Sequence, residues 1–295
     1  MSESKEKQEK ESDTVIEVHH GRDKNDSEEE KTYCSASMNL LTNNDNKMAE
    51  ERQKSFVISS FNADSRVFHK QFEITGSVHM AYISADIVVF QEMYNILHAD
   101  GLLAHDAFEN YSTVHQSPNK LGSKGTSKEL LVFAFQKSFL KIISVENVVP
   151  KVCASQWFRM PHFICVSDAL EENFFVVNVH MGRNNNSVED FGHLADCVKS
   201  LETDKFLIIG DFNKGKRDEM IQELCASIEG SIEEPDFPTT LDSGKQYALD
   251  YVIHGKGIVV KNCSQNPIAD FDYETVKVEM NHLPIQFEVK LNIAE

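Results

Sequence analysis

The sequence predicts an α+β sandwich in which two packed β-sheets are flanked by helices, all within one domain. Three features carry that expectation. Short apolar runs of strand length recur from Ser55 onward, separated by loops and turns. Helical periodicity is confined to a few segments. Hydrophobic residues make up 41% of the chain, enough to close a sizeable core. Residues 1–54 have a different texture, rich in Glu, Lys, Ser and Asn, with 9 basic and 14 acidic side chains and a net charge of −5. Such a composition buries too little surface to offset the entropy of ordering. A disordered acidic and polar tail is therefore expected over 1–54, with the folded domain spanning 55–295.

Taken in order, the expected strands are Phe56–Phe61, Ile87–Phe90, Leu130–Phe135, Phe139–Ser144, His162–Val166, Phe174–Val179, Phe206–Ile209, Leu249–Ile253, Ile258–Val260 and Ile285–Val289. Most are rich in the β-branched and aromatic residues that suit a pleated, buried surface. Helices are expected over Val67–Ser84, Val188–Leu201 and Asp218–Ile228. In the second, Phe191, Leu194, Ala195, Val198 and Leu201 follow the spacing of a helix with one buried face.

Composition also excludes some functions. The 29 Lys and Arg stand against 47 Asp and Glu, a formal charge of −18, so the chain is no general electrostatic binder of DNA or anionic membranes. A local grip on phosphate stays open, particularly where a divalent cation supplies positive charge. No stretch approaches the roughly 20 apolar residues of a membrane helix, and the N-terminus lacks the apolar core of a secretory signal. A monomer of the cytoplasm or nucleus, with no membrane partner, is expected. The six cysteines (Cys34, Cys153, Cys165, Cys197, Cys225 and Cys263) show no CxxC spacing. Buried free thiols in a reducing compartment fit them better than a zinc site or a disulfide framework. His19–His20 reads as solvated tail rather than a metal trap.

Polar residues recur where these strands end. Phe56–Phe61 runs into Asn62 and Asp64, and Ile87–Phe90 into Gln91–Glu92. Phe174–Val179 contains Asn178 and leads to His180. Phe206–Ile209 runs into Gly210–Asp211–Phe212–Asn213, Leu249–Ile253 carries Asp250, and Asn281–His282 precedes the last strand. Singly, each has a plain explanation in turn chemistry or core hydrogen bonding. Six in one structural setting point to a shared rim of the sheets.

That ordered set resembles the endonuclease/exonuclease/phosphatase superfamily, and within it the deoxyribonuclease I branch. SFNAD (60–64), FQE (90–92), NVHMG (178–182), IIGDFN (208–213), LDYVI (249–253) and NHLPI (281–285) carry the likeness, IIGDFN most specifically. KLGSKGTSKELLVFAF (120–135), FRMPHFICV (158–166) and FPTTLDSGKQYALDYVI (237–253) are similar to segments of the deoxyribonuclease I branch. The resemblance implies a four-layer sandwich, helices outside two central and mostly antiparallel sheets, with the active site at one end of the sheets. The cysteine that secreted relatives carry soon after GDFN is missing, as KGKR occupies 214–217.

The resemblance further implies a metal-dependent phosphodiesterase, most simply an endonuclease that hydrolyses DNA with an activated water. Glu92, with Asp64 and the position of Asn281, is expected to hold Mg²⁺ or Mn²⁺, for which oxygen ligands are suited. Asn62, Asn213, Asn178 and Arg159 are expected to face phosphate, and Asp211 to align or deprotonate the water. Asp250 is expected beside His282, and Glu129 beside His180, each carboxylate fixing its imidazole's tautomer. Lys120, Lys124 and Lys128 are candidates for backbone contacts to nucleic acid. Asn281 stands where the family has aspartate, which predicts weaker metal affinity rather than inactivity. Two alternatives stay open: hydrolysis of RNA, a phospholipid or an inositol phosphate, and a binding module on a nuclease scaffold.

Overall fold

The computed structural model describes residues 55–63, 85–93, 108–115, 129–141, 143–148, 157, 159–168, 173–183, 188–242, 245–264 and 282–291. The tail, the Val67–Ser84 helix, Asp64, Asn281, Lys120, Lys124, Lys128, Cys34 and Cys153 fall outside them. Two six-stranded sheets dominate what is described. The first contains β1 (Ser55–Asn62), β2 (Ile87–Met93), β3 (Tyr111–His115), β4 (Leu130–Gln136), β13 (Ile258–Asn262) and β14 (Ile285–Leu291), in the order β13-β14-β1-β2-β4-β3. The second contains β5 (Ile143–Val148), β6 (His162–Asp168), β7 (Asn173–His180), β8 (Phe206–Asp211), β9 (Ser231–Glu233) and β12 (Asp250–His254), in the order β5-β6-β7-β8-β12-β9. Each sheet has one parallel pair, β1–β2 and β7–β8, among antiparallel neighbours. A short hairpin, β10 (Thr240–Asp242) with β11 (Lys245–Tyr247), stands apart from both.

Strand alternation explains the layers. Ile58, Val89, Phe133 and Phe287 of the first sheet meet Ile164, Val176, Leu207, Ile209 and Val252 of the second in a core between the sheets. The alternate residues Val177, Val179, Ile208, Tyr251 and Ile253 turn outward, where α1 (Val188–Lys199) and α2 (Glu219–Ile228) cover them with Phe191, Leu194, Val198, Ile221 and Leu224. Being covered on both faces, β8 is buried at every position, which is why it reads as an unbroken apolar run. Asp218 caps α2, its carboxylate accepting from the Met220 amide at 3.1 Å. On the first sheet's outer face, Val88, Phe90, Phe108 and Leu130 form a third cluster.

The fold class is the expected one, and eleven strand or helix segments lie where sequence placed them, within a few residues at their ends. One element differs. Phe139–Ser144 was expected as a strand, but Phe139–Lys141 forms a 3-10 turn, and the strand begins at Ile143. Buried Phe139 packs into the inter-sheet core from that turn, so its apolar character reflects packing rather than extension. Four short or irregular strands, β3, β9, β10 and β11, were not expected. Cys197 is buried and Cys165 half-buried, both as free thiols. Burial pushes the Cys225 thiol up to about 11, as fits an inert core sulfur. Among the described residues, no helix is long and apolar enough to cross a membrane.

Candidate active site

The period of two that builds the inter-sheet core also builds the site. Asn62 shares a face with Ile58, and Gln91 with Val89 and Ile87. Glu129 continues the Phe133 face; Asn178 and His180 continue Val176; Asp211 continues Ile209; Asp250 precedes Val252. The inward-facing stripes are thus apolar along most of their length and polar at one end. In β7–β8 the register pairs His180 with Asp211, and in β8–β12 it pairs Asp211 with Asp250. Three chemical groups are therefore adjacent by backbone pairing alone.

Glycine makes the β7–β8 approach feasible. Gly210 has φ 141°, and a Cβ there would drive into the carbonyl oxygen of Val179. Glu92 is re-aimed by a different device. Strict alternation would send it to the face opposite Gln91, but the register shifts between Phe90 and Met93, and Glu92 takes a left-handed φ of 57°. Its carboxylate comes to 3.6 Å from His180 Nε2.

Asp211 occupies the centre. Its Oδ2 lies 3.4 Å from Nε2 of His180 and 3.6 Å from Nε2 of His282. Its orientation is fixed by donors: Asn62 Nδ2 at 3.0 Å, Asn213 Nδ2 at 3.2 Å and the Asn213 amide at 2.8 Å. Asn213 adopts φ 52°, which asparagine tolerates, and also donates to the Met181 carbonyl at 2.8 Å. Each imidazole is backed by a buried carboxylate. Glu129 receives His180 Nδ1, and Asp250 receives His282 Nδ1 at 3.0 Å.

The two imidazoles differ in their protons. Arg159 Nη1 touches His180 Nε2. A guanidinium can only donate, so in this arrangement Nε2 accepts and the ring proton sits on Nδ1, facing Glu129. Burial alone would raise the Glu129 carboxyl, but its pairing with His180, the Arg159 guanidinium and the Glu92 amide hold it below the ordinary value. For His282, burial by itself would favour the neutral ring. The charges of Asp250 and Asp211, the Asp250 hydrogen bond and Glu92 outweigh it and push the pKa up to about 9. His282 is thus protonated at neutral pH.

Most expected site residues converge. Glu92, Glu129, Arg159 and His180 stand on one side of Asp211; Asp250 and His282 stand on the other; Asn62 and Asn213 hold the centre. Asn178 is placed differently from its expected phosphate-facing role. It is fully buried, accepts from Gln91 Nε2 at 2.7 Å, and donates to the carbonyls of Phe90 at 3.1 Å and Val132 at 3.3 Å. It ties one sheet to the other and holds β2 and β4 in place beneath the site.

Other contributors were not singled out from sequence. Thr239 Oγ1 donates to Asp250 Oδ2 at 2.7 Å while accepting from the amides of Leu249 and Asp250 at 3.1 and 3.0 Å. Thr240 Oγ1 adds a second bond to Asp250 at 3.1 Å. Arg183 Nε donates to Asn213 Oδ1 at 2.7 Å, which leaves the asparagine's Nδ2 directed to Asp211. The FPTT run ahead of Asp250 and the arginine just beyond NVHMG were the available signals. Nothing in either, without the fold, says which carboxylate or amide it serves.

The donor set suits a hard divalent cation. Glu92, Glu129, Asp211 and Asp250 place four carboxylates around two imidazoles and one guanidinium, an acidic excess in a largely buried setting. Asp211, Asp250 and His282 also bring one ligand atom each to within 4.8 Å of one another. In that trio His282 carries a proton on both ring nitrogens at neutral pH, so the oxygens of Glu92, Asp211 and Asn62 are the more suitable ligands.

Solved structures with the same architecture identify the fold. A Bacteroides thetaiotaomicron endonuclease/exonuclease/phosphatase family protein superposes with a TM-score of 0.53 at 14% identity, over 81% of this chain and 99% of that one. The chain adopts the endonuclease/exonuclease/phosphatase fold. ANGEL2, a 2′,3′-cyclic phosphatase, is similar at a TM-score of 0.54 and 13% identity, over 81% and 96% of the respective chains. The endonuclease domain of TRAS1, a telomere-specific non-LTR retrotransposon, is similar at 0.52 and 12% identity, over 81% and 100%. No protein-family model and no curated protein matches the sequence.

Proposed function

We propose that the chain is a metal-dependent phosphoesterase, and specifically a phosphodiesterase that cleaves nucleic acid, with DNA as the first substrate to test. One observation carries the reading: a buried, donor-fixed carboxylate, Asp211, lies between two imidazoles, each backed by its own buried carboxylate. Hydrolysis of a phosphate ester needs an aligned water, charge stabilisation at phosphorus and a proton for the leaving oxygen. Asp211 aligns the water and takes its proton. His282, protonated and held by Asp250, gives its Nε2 proton to the leaving oxygen as the P–O bond breaks. Arg159 and Asn62 are suited to phosphoryl oxygens. A divalent cation such as Mg²⁺ or Mn²⁺, held by Glu92, Asp211 and Asn62, would neutralise charge on those oxygens and lower the pKa of a bound water.

Structures of this fold include an endonuclease domain and a 2′,3′-cyclic phosphatase. The second reading is therefore a phosphate ester other than DNA. The purified chain, presented in parallel with supercoiled plasmid, single-stranded RNA, a 2′,3′-cyclic nucleotide and bis(p-nitrophenyl) phosphate in Mg²⁺, Mn²⁺ or EDTA, separates the two. Plasmid nicking supports the first reading. Turnover confined to the cyclic or aryl ester favours the second. No turnover of any substrate refutes both and leaves a binding module.

A further inference from the structure

Among the described residues, the exposed large hydrophobic side chains are Val188, Tyr247 and Val259, of which only Tyr247 is aromatic. Its place in the hairpin is unusual. Thr240 of β10 lies opposite Tyr247 across the β10–β11 ladder and opposite His282 through an antiparallel bridge. Residues directly opposed on neighbouring strands point to the same face, so His282, Thr240 and Tyr247 form one row. The face is the catalytic one, since His282 Nδ1 and Thr240 Oγ1 both reach Asp250, at 3.0 and 3.1 Å. With strands about 4.8 Å apart, the Tyr247 backbone stands about 10 Å from that of His282. Yet His282 and Thr240 are 4% and 1% exposed, whereas Tyr247 is 42% exposed. Lys245, two residues earlier on β11 and likewise exposed, shares its face.

We infer that Tyr247 is a specificity residue whose ring stacks on an unpaired base of a single-stranded nucleic acid, next to the phosphate held at His282 and Asp211. This rests on the phosphodiesterase reading and adds the form of the substrate. A lone flat ring with a cation beside it is the equipment of a base-stacking platform, whereas a lipid surface would call for a contiguous apolar patch. Bases inside a duplex are already stacked on one another, so a single strand or a frayed end reaches the ring without the cost of unpairing.

Binding tests the inference separately from turnover. Fluorescence anisotropy is measured in Mg²⁺ with a labelled oligothymidylate and with an oligomer of equal length whose residues are all abasic. In the full chain carrying His282→Ala, turnover slowed by about 10²- to 10⁴-fold lets both oligomers outlast the measurement. Oligothymidylate is expected to bind roughly tenfold more tightly than the abasic oligomer. Adding Tyr247→Ala is expected to abolish that difference, and adding Tyr247→Trp to preserve it. Equal affinity for both oligomers, undetectable binding of either, or a base preference that survives Tyr247→Ala overturns the inference. Base-dependent binding by a wild-type chain that hydrolyses no phosphodiester would instead leave the stacking role standing and refute the catalytic reading.

Discussion

At the scale of single residues, the site divides its labour through proton positions. His180 accepts from Arg159 at Nε2, whereas His282 holds its proton against Asp250 and Asp211. Both imidazoles stand against Asp211, the carboxylate that aligns the water in the proposed reaction. His180→Ala and His282→Ala are each expected to lower kcat by about 10²- to 10⁴-fold, read from initial rates on the best substrate. The raised pKa of His282 also has a consequence for stability. Its folded value of about 9 exceeds the unfolded value of 6.5, so between them the folded chain holds a proton the unfolded chain releases. The stabilisation is complete below pH 6.5 and is lost as pH rises to about 9. In EDTA, Tm should fall across that window for the wild type and stay flatter for His282→Gln; parallel falls would contradict the assignment. Asn281, next to His282 in the sequence, brings no charge to the proposed metal, and Asn281→Asp is expected to shift the Mg²⁺ activation curve to lower concentration. Coincident curves would remove that argument.

At the scale of elements, two strand pairs and one hairpin hold the chemistry. Gly210→Ala sets a Cβ against the Val179 carbonyl in a φ of 141°, and is expected to destabilise the chain by about 3 kcal/mol, read from the urea midpoint. Thr239 acts from the hairpin side. Thr239→Val keeps the shape but strands the buried amide of Asp250, the half-buried amide of Leu249 and one Asp250 lone pair, at a cost of about 1–3 kcal/mol. It should lower kcat more than it raises KM, and Thr239→Ser should restore most of the loss. These elements were unevenly legible in the sequence. The FLIIGD strand and the α1 stripe announced themselves through burial on both faces and through helical spacing. By contrast β9, β10 and β11 have three residues each, too few for any period to register. The polar strand ends were visible, but what they do was not. Asn178 and His180 sit two residues apart on the same face, yet one is consumed by inter-sheet hydrogen bonds and the other meets Asp211. That distinction depends on depth below the rim, which a one-dimensional pattern does not encode.

At the scale of the whole molecule, a charge of −18 constrains how a phosphate polymer is approached. Attraction must come from a few cations and a bound metal rather than from the general surface. Each phosphate contact to a single strand contributes about −0.7 to the slope of log affinity against log salt, so grips by Arg159 and by Lys245 beside Tyr247 alone give a slope of about −1.4. A slope near −3.5 would mean that Lys120, Lys124 and Lys128 also take part. The site itself draws on both sheets, with Asn62, Glu92 and Glu129 from one and His180, Asp211 and Asp250 from the other. Its geometry depends on the inter-sheet core and on the buried Asn178–Gln91 bridge. The most direct test is hydrolysis of a phosphodiester by the wild type and by Asp211→Asn, assayed side by side with Mg²⁺, Mn²⁺ and EDTA. Metal-dependent cleavage that EDTA abolishes and Asp211→Asn reduces at least about 10²-fold is the expected result. Cleavage that persists in EDTA or is unchanged in Asp211→Asn would contradict a catalytic centre at this carboxylate.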